Sequence, residues 1–399
     1  MSKFSDARQF EQIFQGLVAE NPLGASENPI NAYGPCWCKS GKKWKFCHKS
    51  RRAQKQLPFG QIRSLITEAQ AQWVEGSHFC LHPSASAETC SPKVIGSHTV
   101  QRNGGLSAIA EDNHVLSTKK GLLSLEKNDG DIVPARIGLK DASTFPGFCN
   151  KHDTSMFLPA EGQDAALNKE TAFLLSFRAL AYEYVMKQYN IASHGVKRDN
   201  LDRGVSFAQQ VAVQSWIDGV AKGTRMALDD IGRWKAKYDS AYINQDYSGY
   251  RAYFVEFDSV LPFVGAGAFM PEFDFLGNTL QSLGAGAGLE HVAINVTVLG
   301  GKTVAAFGWW PESHDATNRF VESFAGLPDD AKASALATCA FEHLENVYYR
   351  ESWWKGLSTD EQRAFDELIR GGLIRKSSDS LSGRNIRVRA SVAELFDLR

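Results

Sequence analysis

The chain has 399 residues, which at about 150 residues per domain predicts two to three domains. Apolar residues make up 43% and charged residues 22%, and 44 Lys+Arg against 45 Asp+Glu leave a net charge of -1. This excludes a disordered, collagenous or coiled-coil chain, and no global charge recruits nucleic acid or a membrane.

Residues 5–19 place Phe10, Ile13, Phe14 and Leu17 at helical spacing, and ENPLGASENPINAYGP (20–35) reads as a linker. The segment holds acidic and polar residues where a signal peptide needs an apolar centre, and no later stretch approaches the about 18 apolar residues of a membrane span. A cytoplasmic protein with no membrane partner is expected. A helix follows over 59–75, then short strand-like runs broken by turns over 76–160. From 163 to 238 the pattern is helical, with an apolar stripe of Phe173, Leu174, Phe177, Leu180, Ala181 and Tyr184 and a second helix from near Val205.

After residue 245 the period changes to two. Tyr253, Val255 and Phe257 alternate along one run, and Val292, Ile294, Val296 and Val298 along another. Gly300-Gly301 joins the second run to Thr303–Trp309, which predicts a hairpin. Helices are expected near 315–326, 330–350 and 358–370. The fold class is α+β, in four consecutive segments: 1–58 with the first Cys/His motif, 59–160 as a zinc module, 161–245 helical, and 246–399 as a C-terminal α+β domain.

Six of the seven cysteines fall within the first 149 residues, mostly beside a histidine or another cysteine. In a reducing compartment such clustering points to zinc ligation, not disulfides. In PCWCKSGKKWKFCHKSRR (35–52), Cys36, Cys38, Cys47 and His48 form two short-spaced pairs joined by the Ser40-Gly41 turn, which suits a tetrahedral Zn2+. The segment resembles the SEC-C zinc motif through its C-x-C-x-S-G-x-K pattern and terminal Cys-His pair, with Trp37 and Lys39 where that motif usually has Pro and Gly. No acidic residue occurs between Glu27 and Glu68, whereas nine Lys and Arg do, with Trp37, Trp44 and Phe46 interleaved. Such a patch can contact phosphates and stack on bases, or be a solvated face whose aromatics form the small core around the metal. The resemblance implies a protein or ribosome partner.

A second set comprises Cys80 and Cys90, then Cys149-x-x-His152 at a helix start, with His82 competing for a ligand position. Between the pairs lies a strand, KVIGSHTVQ, carrying His98. This order resembles the zinc-containing HNH (ββα-metal, treble-clef) endonucleases. The resemblance implies His98 as general base and Asp153 as ligand of a catalytic Mg2+ or Mn2+, and nearby Arg102 is suited to hold the scissile phosphate. Ser97 stands where that family has a metal-binding Asp, and Thr144 where it has Asn. Two functions therefore stay open: a metal-dependent nuclease, of a bacterial defence type, and a non-catalytic zinc adaptor for nucleic acid, ribosome or protein.

Other signals are discounted. GAGAG (284–288) lacks dinucleotide-fingerprint spacing and reads as a turn; Glu342-His343 lacks a second histidine four residues on. Cys339 reads as a buried thiol on an apolar helix, and Trp353-Trp354 as core.

Overall fold

The structure is a computed structural model and describes Leu23 and residues 31–76, 80–118, 133–161, 165–282, 288–312, 314–374, 380–381 and 385–398. The helix expected over 5–19 and most of the 284–288 turn lie outside the described residues. Chain contacts sort the protein into two compact units, Met1–His78 with Met186–Asp229, and Phe79–Val185 with Asp230–Arg399.

In the first unit the cysteine motif is followed by helix α1 (Phe59–Gly76), at the place the sequence predicts. Among the described residues, this unit also takes in the end of α3 (Lys169–Ala192), a short α4 (His194–Asn200) and the first half of α5 (Phe207–Asn244). Trp73 of α1 meets Tyr189 of α3 edge-on, with ring centroids 5.8 Å apart.

The second unit is built on an eight-stranded sheet in the order β10-β5-β8-β7-β6-β9-β2-β3, with every neighbour antiparallel. Its strands are β2 (His114–Ser117), β3 (Ala135–Gly138), β5 (Arg251–Phe257), β6 (Phe263–Phe269), β7 (Val292–Leu299), β8 (Lys302–Trp309), β9 (Asn346–Tyr349) and β10 (Val392–Leu398). Gly300 and Gly301 make the β7–β8 turn with φ of 57° and 80°, the mirror-image turn whose twist matches paired strands. All eight residues of β7 are buried because both sheet faces are covered. One face packs on α6 (Ala316–Ala325), α7 (Asp329–His343) and α8 (Thr359–Ile374), through Phe320, Phe324, Leu336, Phe341, Phe365 and Ile369. The other receives Ala179 of α3 together with Val100, Leu106 and Ile109.

Two differences from the sequence reading matter. The helix expected over 330–350 stops at His343, and Asn346–Tyr349 becomes β9, because its Val-Tyr-Tyr run bridges β6 and β2. The 59–160 stretch, read as a zinc module, contributes β2 and β3 to the large sheet. A smaller ladder stands beside it: β1 (Val94–His98) pairs antiparallel with β4 (Thr144–Cys149), His98 opposite Thr144, and β4 runs directly into α2 (Asn150–Phe157).

Candidate functional site

Cys36, Cys38, Cys47 and His48 converge, with one donor atom from each lying within 4.8 Å of all the others. Local backbone geometry makes this possible. The Cys36 N–H donates to Lys42 O, the Lys39 N–H to Cys36 O, and Lys39 (φ 57°) and Gly41 (φ 77°) adopt left-handed conformations that close the turn. Lys39 thus holds a left-handed conformation that a glycine would adopt without strain. Cys38 Sγ lies 3.6 Å from Cys47 Sγ, and His48 Nδ1 lies 3.2 Å from both Cys36 Sγ and Cys47 Sγ. Four donors about 2.0–2.3 Å from one tetrahedral ion sit about 3.5 Å from each other, so the set fits a zinc-sized cation. All four residues are buried.

The other ring nitrogen of His48 is equally constrained. Nε2 is 2.7 Å from Asp202 Oδ2, and Asp202 is fully buried, accepting from Arg51 Nη1 at 3.0 Å and Gln214 Nε2 at 2.9 Å. A carboxylate behind a ligating imidazole fixes its tautomer and turns Nδ1 toward the metal. Nothing local in the sequence marks Asp202, 154 residues after His48.

The second set, Cys80, Cys90, Cys149 and His152, converges within the same limit. His152 Nδ1 is 3.5 Å from Cys80 Sγ, 3.5 Å from Cys90 Sγ and 3.4 Å from Cys149 Sγ. Cys149 caps α2 and His152 sits in its first turn, so the strand-to-helix junction presents both donors on one side. The Cys149 N–H donates to Cys80 Sγ and the Ser91 N–H to Cys149 Sγ, each at 3.3 Å, contacts that favour thiolate over thiol. His82 is not among the converging donors. Its ring stacks on His152 at 3.9 Å with an interplanar angle of 4°, and its Nδ1 accepts the Ser84 N–H. Burial, then the neighbouring His152 and Lys235, push the His82 pKa down to about 4.

In the same first turn of α2, Asp153, the residue after His152, lines a cleft of about 650 Å3. His98 at the end of β1, Arg102, Asp153 of α2 and Glu161 all line it, with Asn103 and the Gly300-Gly301 turn. Arg102 belongs to a five-residue π-turn, Arg102–Leu106, a wide turn of the kind that often marks functional sites. His98 Nε2 lies 3.2 Å from Leu139 O. A carbonyl only accepts, so Nε2 carries the proton and Nδ1 is the basic nitrogen. Burial holds the His98 pKa below its usual value, with Arg102 and Arg178 acting in the same direction. These surroundings favour the neutral imidazole.

Behind the cleft, the guanidinium of Arg178 is 1% exposed; it meets Glu161 Oε1 at 2.6 Å and Asp153 Oδ1 at 3.8 Å, and lies 3.8 Å over the Phe157 ring. Asp153 thus faces a fixed cation. Among the described residues, only the two Cys/His sets bring three or more ligand atoms together, and His98, Asp153 and Glu161 do not form a third. Glu161 and Arg178 escape the sequence reading. The available signal is Arg178 itself, a lone charge between Phe177 and Ala179 in the apolar stripe of α3. No helix of the described residues is long and apolar enough to cross a membrane. Compared with family models, curated proteins and solved structures, the chain matches none.

Proposed function

We propose that both donor sets hold zinc, the first as a SEC-C-type finger, and that the second braces a phosphodiester-cleaving cleft of the HNH, treble-clef type. The carrying observation is that His98, Arg102 and Asp153, from three separate elements, line one cleft beside the second donor set. Neutral His98 takes a proton from the attacking water through Nδ1, while the Arg102 fork holds two phosphate oxygens. Asp153 and Glu161 would be the residues to hold a Mg2+ or Mn2+, which would supply Lewis-acid stabilisation of the leaving oxygen. Any such cation competes with the Arg178 guanidinium for the same carboxylates.

The test is cleavage of plasmid DNA and of RNA by zinc-loaded protein, with and without added Mg2+ or Mn2+. His98→Ala should lower the rate by about 10²–10⁴-fold, the range for loss of a general base, at unchanged zinc content. Equal cleavage by His98→Ala, or none by the native protein in any condition, overturns the reading. A second reading, the non-catalytic zinc adaptor, is favoured by a specific observation: Ser97 is buried, the Thr144 hydroxyl donates to Asp141 O, and Asp153 already has Arg178 as counter-ion.

A further inference from the structure

The surface of the first zinc finger carries a separate feature, independent of the chemistry in the cleft. Trp37 and Trp44 pack against the buried cysteine cluster, as aromatics of a small metal core do. Tyr33 and Phe46 do not: they are 55% and 68% exposed. Lys45 Nζ stands 4.7 Å from the Tyr33 ring centroid and 5.7 Å from that of Phe46, and donates to Tyr33 Oη at 2.7 Å. Lys43 Nζ lies 5.9 Å from the same Tyr33 ring. Two solvent-facing rings are thus held around one ammonium.

The charge around them is one-sided. Of the nine basic residues between Glu27 and Glu68, Lys42 and Arg51 pair with Asp199 and Asp202. Among the described residues, no ion pair engages Lys39, Lys43, Lys45, Lys49, Arg52 or Lys55, all of which are exposed. Cations with no counter-charge fit a polyanion, and exposed ring faces fit unpaired bases, whose π-faces a duplex keeps stacked inside. An acidic peptide could answer the lysines but leaves the rings without a partner.

We infer that the finger surface formed by Tyr33, Phe46 and the surrounding lysines binds single-stranded nucleic acid, with bases on the two rings and backbone phosphates on the ammonium groups. The interaction is independent of base sequence, because stacking and phosphate contact read no base edge.

The test is fluorescence anisotropy of labelled oligothymidylate, oligouridylate and a mixed-sequence duplex of equal length with zinc-loaded full-length protein. Tighter binding of either single strand than of the duplex is expected. The log–log salt dependence should have a slope of about -2 to -3, as for three or four phosphates contacted on a single strand. Phe46→Ala and Tyr33→Ala should each weaken binding about tenfold, the order of one lost stacking platform. Phe46→Trp and Tyr33→Trp should retain it, with quenched tryptophan emission on binding, and unchanged zinc content checks that each variant is folded. Preference for oligouridylate or for oligothymidylate tells RNA from DNA and supports the inference either way. No binding of either single strand at low salt, or binding that Phe46→Ala and Tyr33→Ala leave unchanged, overturns it.

Discussion

Asp202 shows what a residue distant in sequence does for a donor set that could hold a metal ion. Its carboxylate holds His48 Nε2 at 2.7 Å and is itself held by Arg51 and Gln214, so the imidazole has one available orientation. Asp202→Ala should weaken zinc binding at the first centre about 10–100-fold and leave the second unaffected, measured by competition with a chromogenic chelator. Equal loss at both centres would point to general unfolding instead. A second residue-scale prediction concerns His291, which is 2% exposed, has no hydrogen-bond partner on either ring nitrogen among the described residues, and packs on Trp234 and Tyr238. Burial, with Lys237 nearby, pushes its pKa down to about 3. The folded-state value lies below the unfolded one, so the unfolded chain binds the extra proton and stability falls as the pH drops below about 6.5. His291→Phe should remove up to about 1.4 kcal/mol of this loss per pH unit down to about pH 3, read from urea melts of both proteins at stepped pH. The eight donors of the two centres are legible in the sequence because ligand pairs are set by local spacing. Asp202, Glu161 and Arg178 are not, because their roles are contacts between distant segments.

At the scale of elements, local pattern predicts what local forces decide. The helix at 59–75, the β7–β8 hairpin with its two-glycine turn, and the helices at 315–326 and 358–370 all follow from periodicity and turn chemistry. The π-turn at Arg102–Leu106 does not, since close packing against β7 imposes it. A Cβ on Gly105 would lie 2.8 Å from Thr297 Oγ1 and 2.9 Å from Val100 Cγ1, both on stiff β-branched side chains. Gly105→Ala should therefore cost about 1–3 kcal/mol in a urea melt, the usual range for overpacking. Gly301→Ala is a different case: its Cβ would meet open space, and only the positive φ of 80° opposes it. The expected cost is about 1 kcal/mol, with Gly301→Asn milder because Asn tolerates this region. A Gly105→Ala variant as stable as the native chain would show that the π-turn can shift away from the sheet.

Each of the two units is assembled from two separate stretches of chain, whereas a sequence is read in order. The four consecutive segments of the sequence reading therefore could not show that β2, which carries β3 on its other side, pairs with β9 more than 200 residues later. The second donor set, which could hold a metal ion, works at this scale. Cys80 and Cys90 are tied to Cys149 and His152 across a span that contains β1, the π-turn, β2 and β3. The β1–β4 ladder has only two strands, and such a ladder by itself is marginal in water; its Phe145 and Phe148, with Phe157 of α2, pack on Phe177 and Tyr182 of α3, outside the core of the large sheet. The large sheet instead rests on a continuous aromatic and aliphatic core that contains no metal donor from either set. Metal removal should therefore divide the second unit. After chelation, hydrogen exchange followed by mass spectrometry should show lost protection in β1, β4 and α2, and hence around His98 and Asp153, while β5, β7 and β8 stay protected. Cys90→Ser should reproduce that pattern without chelator, and restoring zinc should reverse it only in the native protein. Uniform loss of protection across the sheet would mean that the zinc centre supports the whole unit, and unchanged protection in α2 would mean that it supports none of it.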